Sequence, residues 1–137
     1  MNQVRTFRAE LQDVLAARGL KLHLWGGGTR RSGHLLEIRT QPKPTVLYVH
    51  ESNATRGFWG LTRNQVSRLA QAPIRWFAVL LLRSPRAGYL LSGGQVGRRI
   101  QDGTFKLARD GDYKVNEGRL DAGQGFQTLN QLVEQLL

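Results

Sequence analysis

The stretch Ile74-Arg75-Trp76-Phe77-Ala78-Val79-Leu80-Leu81-Leu82 decides the fold class. A strand with one wet face alternates apolar and polar residues. This run barely alternates, so it predicts a central strand buried on both faces, with helices covering each side of its sheet. It is far too short to span a bilayer. Ser84-Pro85-Arg86-Ala87-Gly88 then turns the chain, and Tyr89 to Leu91 returns as a further strand.

The residues before this strand supply its neighbours. Val4, Phe7, Leu11, Val14 and Leu15 recur at helical spacing, with Arg8, Gln12 and Arg18 off the stripe and Gly19 as a stop. Leu20, Leu22 and Leu24 alternate with Lys21, His23 and Trp25, which predicts a strand. After the Gly26–Gly33 turn come strands over His34 to Thr40 and Thr45 to His50, separated by Gln41-Pro42-Lys43-Pro44. Residues Glu51 to Gly60 read as a loop, and Thr62 as the cap of a helix from Arg63 to about Ala72. Beyond Leu91, a short helix from Gly94 to Gln101, a hairpin around Asp110-Gly111 and a closing helix marked by Phe126, Leu129, Leu132, Val133 and Leu136 complete the chain. The expected architecture is one α/β domain over residues 1–137, a mixed central sheet with helices on both faces.

Composition narrows the chemistry. The 137 residues contain no cysteine, which excludes disulfides, thiolate catalysis and Cys-ligated metals. The start carries no apolar signal region, so a soluble cytoplasmic protein without membrane association is the expectation. The net charge is +10, and its distribution is uneven. Between Ser52 and Gln101 there are eight arginines and no carboxylate. Arginine outnumbers lysine 16 to 4, and guanidinium groups bind phosphate bidentately and stack on bases. These features point to a polyanionic partner, nucleic acid and DNA foremost. Arg30, Arg31, Arg56, Arg63 and Arg68 are the candidate phosphate contacts. Phe58 and Trp59 are adjacent in the most distinctive loop, so extended chain would send one into the core and leave the other outside. Trp59 is the candidate for base stacking, the alternative being that both aromatics cover the core edge.

The order helix, three strands, helix, strand resembles the core of the PD-(D/E)XK nuclease superfamily, and within it the archaeal-type Holliday-junction resolvases. The likeness covers Met1 to about Leu91, leaving residues 92–137 as an extension with a hairpin and closing helix. It is carried by Phe7-Arg8-Ala9-Glu10-Leu11 with Leu15 and Gly19, the glycine-rich turn, the strand Thr45 to His50, Gln65 on the following helix, and Arg75 to Leu82. The resemblance implies a restriction-endonuclease-like fold, a homodimer, and Mg²⁺-dependent phosphodiester cleavage with Glu10 facing the metal.

The catalytic pattern of that family is not met. Mg²⁺ needs hard oxygen ligands, and the family places an acid early in its second strand and Asp/Glu-x-Lys on its third. The corresponding triplet here is Tyr48-Val49-His50. Glu10, Glu37 and Glu51 could form a displaced metal site, with His50 in the lysine's place and Gln65 nearby. Alternatively, Glu37 pairs with Arg39 or a neighbouring strand and Glu51 caps a loop. Glu51 follows His50 directly and so falls on the opposite strand face unless a bulge intervenes. The spacing of His23, His34 and His50 matches no zinc signature. Three functions follow: a nucleic-acid-binding protein with a degraded or displaced active site, an active metal-dependent endonuclease, or an interaction module for an acidic protein.

Overall fold

A computed structural model describes residues 2–26 and 33–137. Two sheets and four α-helices follow the chain order α1 (Gln3–Ala16), β1 (Leu22–Leu24), β2 (Leu35–Ile38), β3 (Thr45–Ser52), β4 (Phe58–Thr62), α2 (Arg63–Gln71), β5 (Arg75–Leu82), β6 (Gly88–Ser92), α3 (Gly93–Gln101), β7 (Lys106–Leu107), β8 (Asp112–Asn116), β9 (Gly125–Phe126) and α4 (Leu129–Leu136). The large sheet has the order β1-β2-β3-β5-β6-β9. Its first three strands form an antiparallel meander; β3 and β5 are parallel, in register from Thr45↔Arg75 to Ser52↔Leu82. The fold is mixed α/β.

The apolar run takes the expected central position, and its alternation accounts for the burial. Val79 and Leu81 enter a core under α1 and α4, with Phe7, Leu11, Leu15, Leu132 and Leu136. Ala78 and Leu80 enter a second core with Val66 and Leu69 of α2, Val96 of α3, and Trp59, Leu61 and Val115. Both faces of β5 are covered, so neither phase of the strand can be polar.

Local signals explain the helix ends. The Asn2 side chain accepts the Arg5 N–H to cap α1, and Ser92 with Gln95 forms a capping box on α3. Gly19, at φ +74°, releases the chain from α1 in the left-handed conformation that glycine adopts without steric cost. Thr62 does occupy the N-cap of α2, but its side chain makes no capping hydrogen bond. The Gly111 carbonyl in the β7–β8 turn accepts the Arg63 N–H instead, at 3.0 Å.

The segment expected to be a loop from Glu51 to Gly60 is strand at both ends and loop only over residues 53–57. β3 continues to Ser52, and Phe58 opens β4, which pairs with β8 in the second sheet, ordered β4-β8-β7. Residues beyond Leu91 are integrated into both layers. β9 extends the large sheet, β7 and β8 complete the small one, and α4 seals the first core. Among the described residues, no helix is long and apolar enough to cross a membrane.

Candidate nucleic-acid interface

Strand parity determines which proposed ligands can meet. Leu36 and Ile38 enter the core under α1 and α4, so Glu37 between them faces the opposite side, toward α2. On β3, Leu47 and Val49 face α1, and Glu51 continues that phase, accepting the Gln3 N–H at 3.3 Å. Glu10 is engaged elsewhere: Arg86 Nε and Nη2 donate to its two carboxylate oxygens, both at 2.7 Å. Glu37 is therefore separated from Glu10 and Glu51 by the sheet itself. The proposed metal site of Glu10, Glu37 and Glu51 is not assembled. Among the described residues, no three His, Asp or Glu side chains gather in a way that could hold a metal ion.

His50, the residue in the lysine's place, shares the phase of Tyr48 and packs against its ring edge-to-face, with centroids 4.3 Å apart. The His34 ring lies 6.1 Å away. Burial, and secondarily the charge of His34, lowers the His50 pKa to about 4. His50 is neutral near pH 7, and its buried Nε2 meets no hydrogen-bonding protein group among the described residues. It cannot supply the cation that a lysine would. Gln65 is also not directed at a metal; its Oε1 accepts from Arg68 Nη1 at 3.3 Å.

Trp59 is a correction to the stacking assignment. It is 2% exposed, and its indole Nε1 donates to the Leu81 carbonyl at 3.0 Å. A Cβ on Gly57 would lie 2.3 Å from the Trp59 ring, so the missing side chain at Gly57 is what admits the indole. Phe58 is the outward member of the pair, 47% exposed, with Lys114 Nζ 6.0 Å from its ring centre.

The arginines divide into two groups. Arg75 donates to the Leu136 carbonyl, Arg86 pairs with Glu10, and Arg99 pairs with Asp121 at 3.3 Å. Arg83 has φ +53° and donates to the carbonyls of Ala54 and Thr55, fixing the loop that carries exposed Arg56. Glu117 braces the same loop, accepting from the Gly57 N–H and the Tyr89 hydroxyl, both at 2.8 Å. The Gly57 N–H, and then the Tyr89 hydroxyl, hold the Glu117 carboxyl below its usual range.

The second group lies about β1, one of the two edge strands of the large sheet, and along α2. Arg68 lies 4.8 Å above the ring of Trp25, which follows β1 and packs on the second core. Arg63 is exposed at the start of α2. On the other side of the sheet, Arg5 and Arg8 of α1 line a cavity of about 420 Å³ with Gln12, Leu22, Leu24 and Leu36. The ion pairs of the described residues engage Arg86, Arg99 and Lys114, leaving Arg5, Arg8, Arg63 and Arg68 without carboxylate partners there, while the charge of Arg56 acts on the Glu117 carboxylate. Arg30 and Arg31 lie outside the described residues.

Trp25, Arg5 and Arg8 were not singled out by the sequence reading. Arg5, Arg8 and Gln12 follow i, i+3, i+7 spacing, which places them on one helix face and could have marked them as a group. Compared with known proteins, the chain matches no family model, and no curated protein is significantly similar to it.

Proposed function

We propose that this protein binds nucleic acid at the β1 edge of its large sheet, through arginines that have no carboxylate partner among the described residues. The observation that carries this reading is the Arg68–Trp25 stack, set beside arginines with no carboxylate partner among the described residues. An indole gives a base a stacking surface, and guanidinium groups bind phosphate without first breaking an internal ion pair. DNA is the preferred form, and the cytoplasm the proposed compartment.

We relate the fold to the PD-(D/E)XK nucleases on the order of its elements and the residues that carry that resemblance. On this reading the binding surface is retained and the hydrolytic centre is not. The separation of Glu37 from Glu10 and Glu51 favours binding over metal-dependent cleavage. The test pairs two measurements on purified protein. Affinity for duplex, branched and single-stranded DNA should fall steeply as salt rises, because each contacted phosphate releases counterions. Incubation of branched DNA with Mg²⁺ or Mn²⁺ should give no cleavage above that of a Glu37→Ala control. Metal-dependent cleavage abolished by Glu37→Ala would reinstate the endonuclease reading, and absence of binding at low salt would remove the nucleic-acid reading.

A further inference from the structure

The cavity beneath α1 has a composition that a surface for continuous backbone does not need. Its lining joins apolar Leu22, Leu24 and Leu36 and the imidazole of His23 to Arg5 and Arg8, which lie one helical turn apart on α1. No carboxylate lines it. The wall is held in place, because Gln12 Oε1 accepts the Leu22 N–H at 2.8 Å and ties α1 to the edge strand. The Arg8 guanidinium extends to Gly33, where an added Cβ would lie 3.2 Å from its Nη1. The volume of about 420 Å³ falls within the ~300–1,000 Å³ span of small-ligand sites.

We infer that this cavity receives the terminal phosphomonoester and last nucleotide of a nucleic-acid strand. The inference rests on the nucleic-acid reading and specifies which part of the polymer enters this site. The charge match favours an end over an internal linkage. An internal phosphodiester carries one negative charge, whereas a phosphomonoester carries about −1.5 to −2 near neutral pH. Two guanidinium groups without carboxylate partners among the described residues can neutralise that larger charge and donate to its additional oxygens. The apolar part of the lining covers the terminal base or sugar, which has a neighbour on one side only and so can enter a recess.

The test uses short single strands of one sequence carrying a 5′-phosphate, a 3′-phosphate or hydroxyls at both ends, bound to the full chain at fixed ionic strength. One phosphorylated strand should bind about tenfold more tightly than the hydroxyl strand. The Arg5→Ala/Arg8→Ala protein should lose that preference, so that the phosphorylated and hydroxyl strands bind alike, whatever affinity the two lost charges remove from all of them. Circular dichroism and thermal unfolding of the variant establish that α1 is intact. Equal binding of all three strands would overturn this inference and leave the nucleic-acid reading standing. A preference that persists in the double variant would overturn the assignment to this cavity. Binding of none of the strands would overturn this inference, and would overturn the nucleic-acid reading itself only if duplex and branched DNA also fail to bind. A free nucleoside monophosphate that binds where the strands do not would overturn the strand end as the ligand's source.

Discussion

The region of the β3–β4 loop, with β4 and the β5–β6 turn beside it, and the edge around β1 each contain a tryptophan and arginine side chains, yet they use them in opposite ways. At the loop, Trp59 is buried and hydrogen-bonded to Leu81, while Arg83 is committed to the carbonyls of Ala54 and Thr55. At the β1 edge, Trp25 is only partly buried, and Arg68 lies over its ring instead of against a carboxylate. The same residue types thus hold the fold together in one place and remain available to a partner in the other. A count of arginines in the acid-free stretch cannot distinguish these uses; only the internal partners can.

The largest expected contrast is between the two tryptophans. Trp59→Ala should cost about 3–5 kcal/mol in chemical denaturation, from lost packing and an orphaned Leu81 carbonyl. Trp25→Ala should cost far less stability and weaken nucleic-acid binding. Comparable stability losses would erase the distinction between the regions.

His50 provides the next test, since β3 runs between them. The unfolded chain takes up a proton on this residue below about pH 6.5, whereas the folded chain does so only near pH 4. Its neutral form is favoured by the fold, so stability is present above pH 6.5 and falls as the pH drops through that window, by about 3 kcal/mol. Denaturation midpoints measured from pH 7 to pH 4 should show this decline, and His50→Leu should flatten it. An equal slope in that variant would mean that His50 is not buried as a neutral group.

Arg83 and Arg63 give a smaller contrast. Arg83→Ala removes two hydrogen bonds to carbonyls in the Asn53–Gly57 loop and should cost about 1 kcal/mol. Arg63→Ala, at an exposed position, should stay within about 0.5 kcal/mol. A similarly small effect belongs to the Glu10–Arg86 pair, whose side chains are 32% and 59% exposed. Glu10→Ala should cost less than about 1 kcal/mol by thermal unfolding, as expected for a surface ion pair.

The periodic parts of this fold were legible in the sequence. The unbroken run of β5, the alternation in β1 and the apolar stripe of α1 each follow from which face is buried. β4 was obscured because it is short, follows directly on Gly57 and carries Gly60 at its centre, and without knowing that Trp59 lay in a strand its direction could not be chosen. The sidedness of Glu37 and Glu51 could be read locally, because parity is a property of neighbouring residues. The partner of Glu10 could not: Arg86 lies 76 residues away. The Arg68–Trp25 stack likewise needs α2 to be laid across the sheet before it exists.

The most direct test compares two double variants, Arg63→Ala/Arg68→Ala and Arg83→Ala/Arg86→Ala, by the salt dependence of their affinity for one DNA substrate. The first should weaken binding and reduce the slope of log K against log salt by about 2, close to 0.9 for each lost phosphate contact. The second, which removes arginines already engaged within the protein, should leave the slope unchanged. An unchanged slope in the first variant together with a reduced slope in the second would contradict the account.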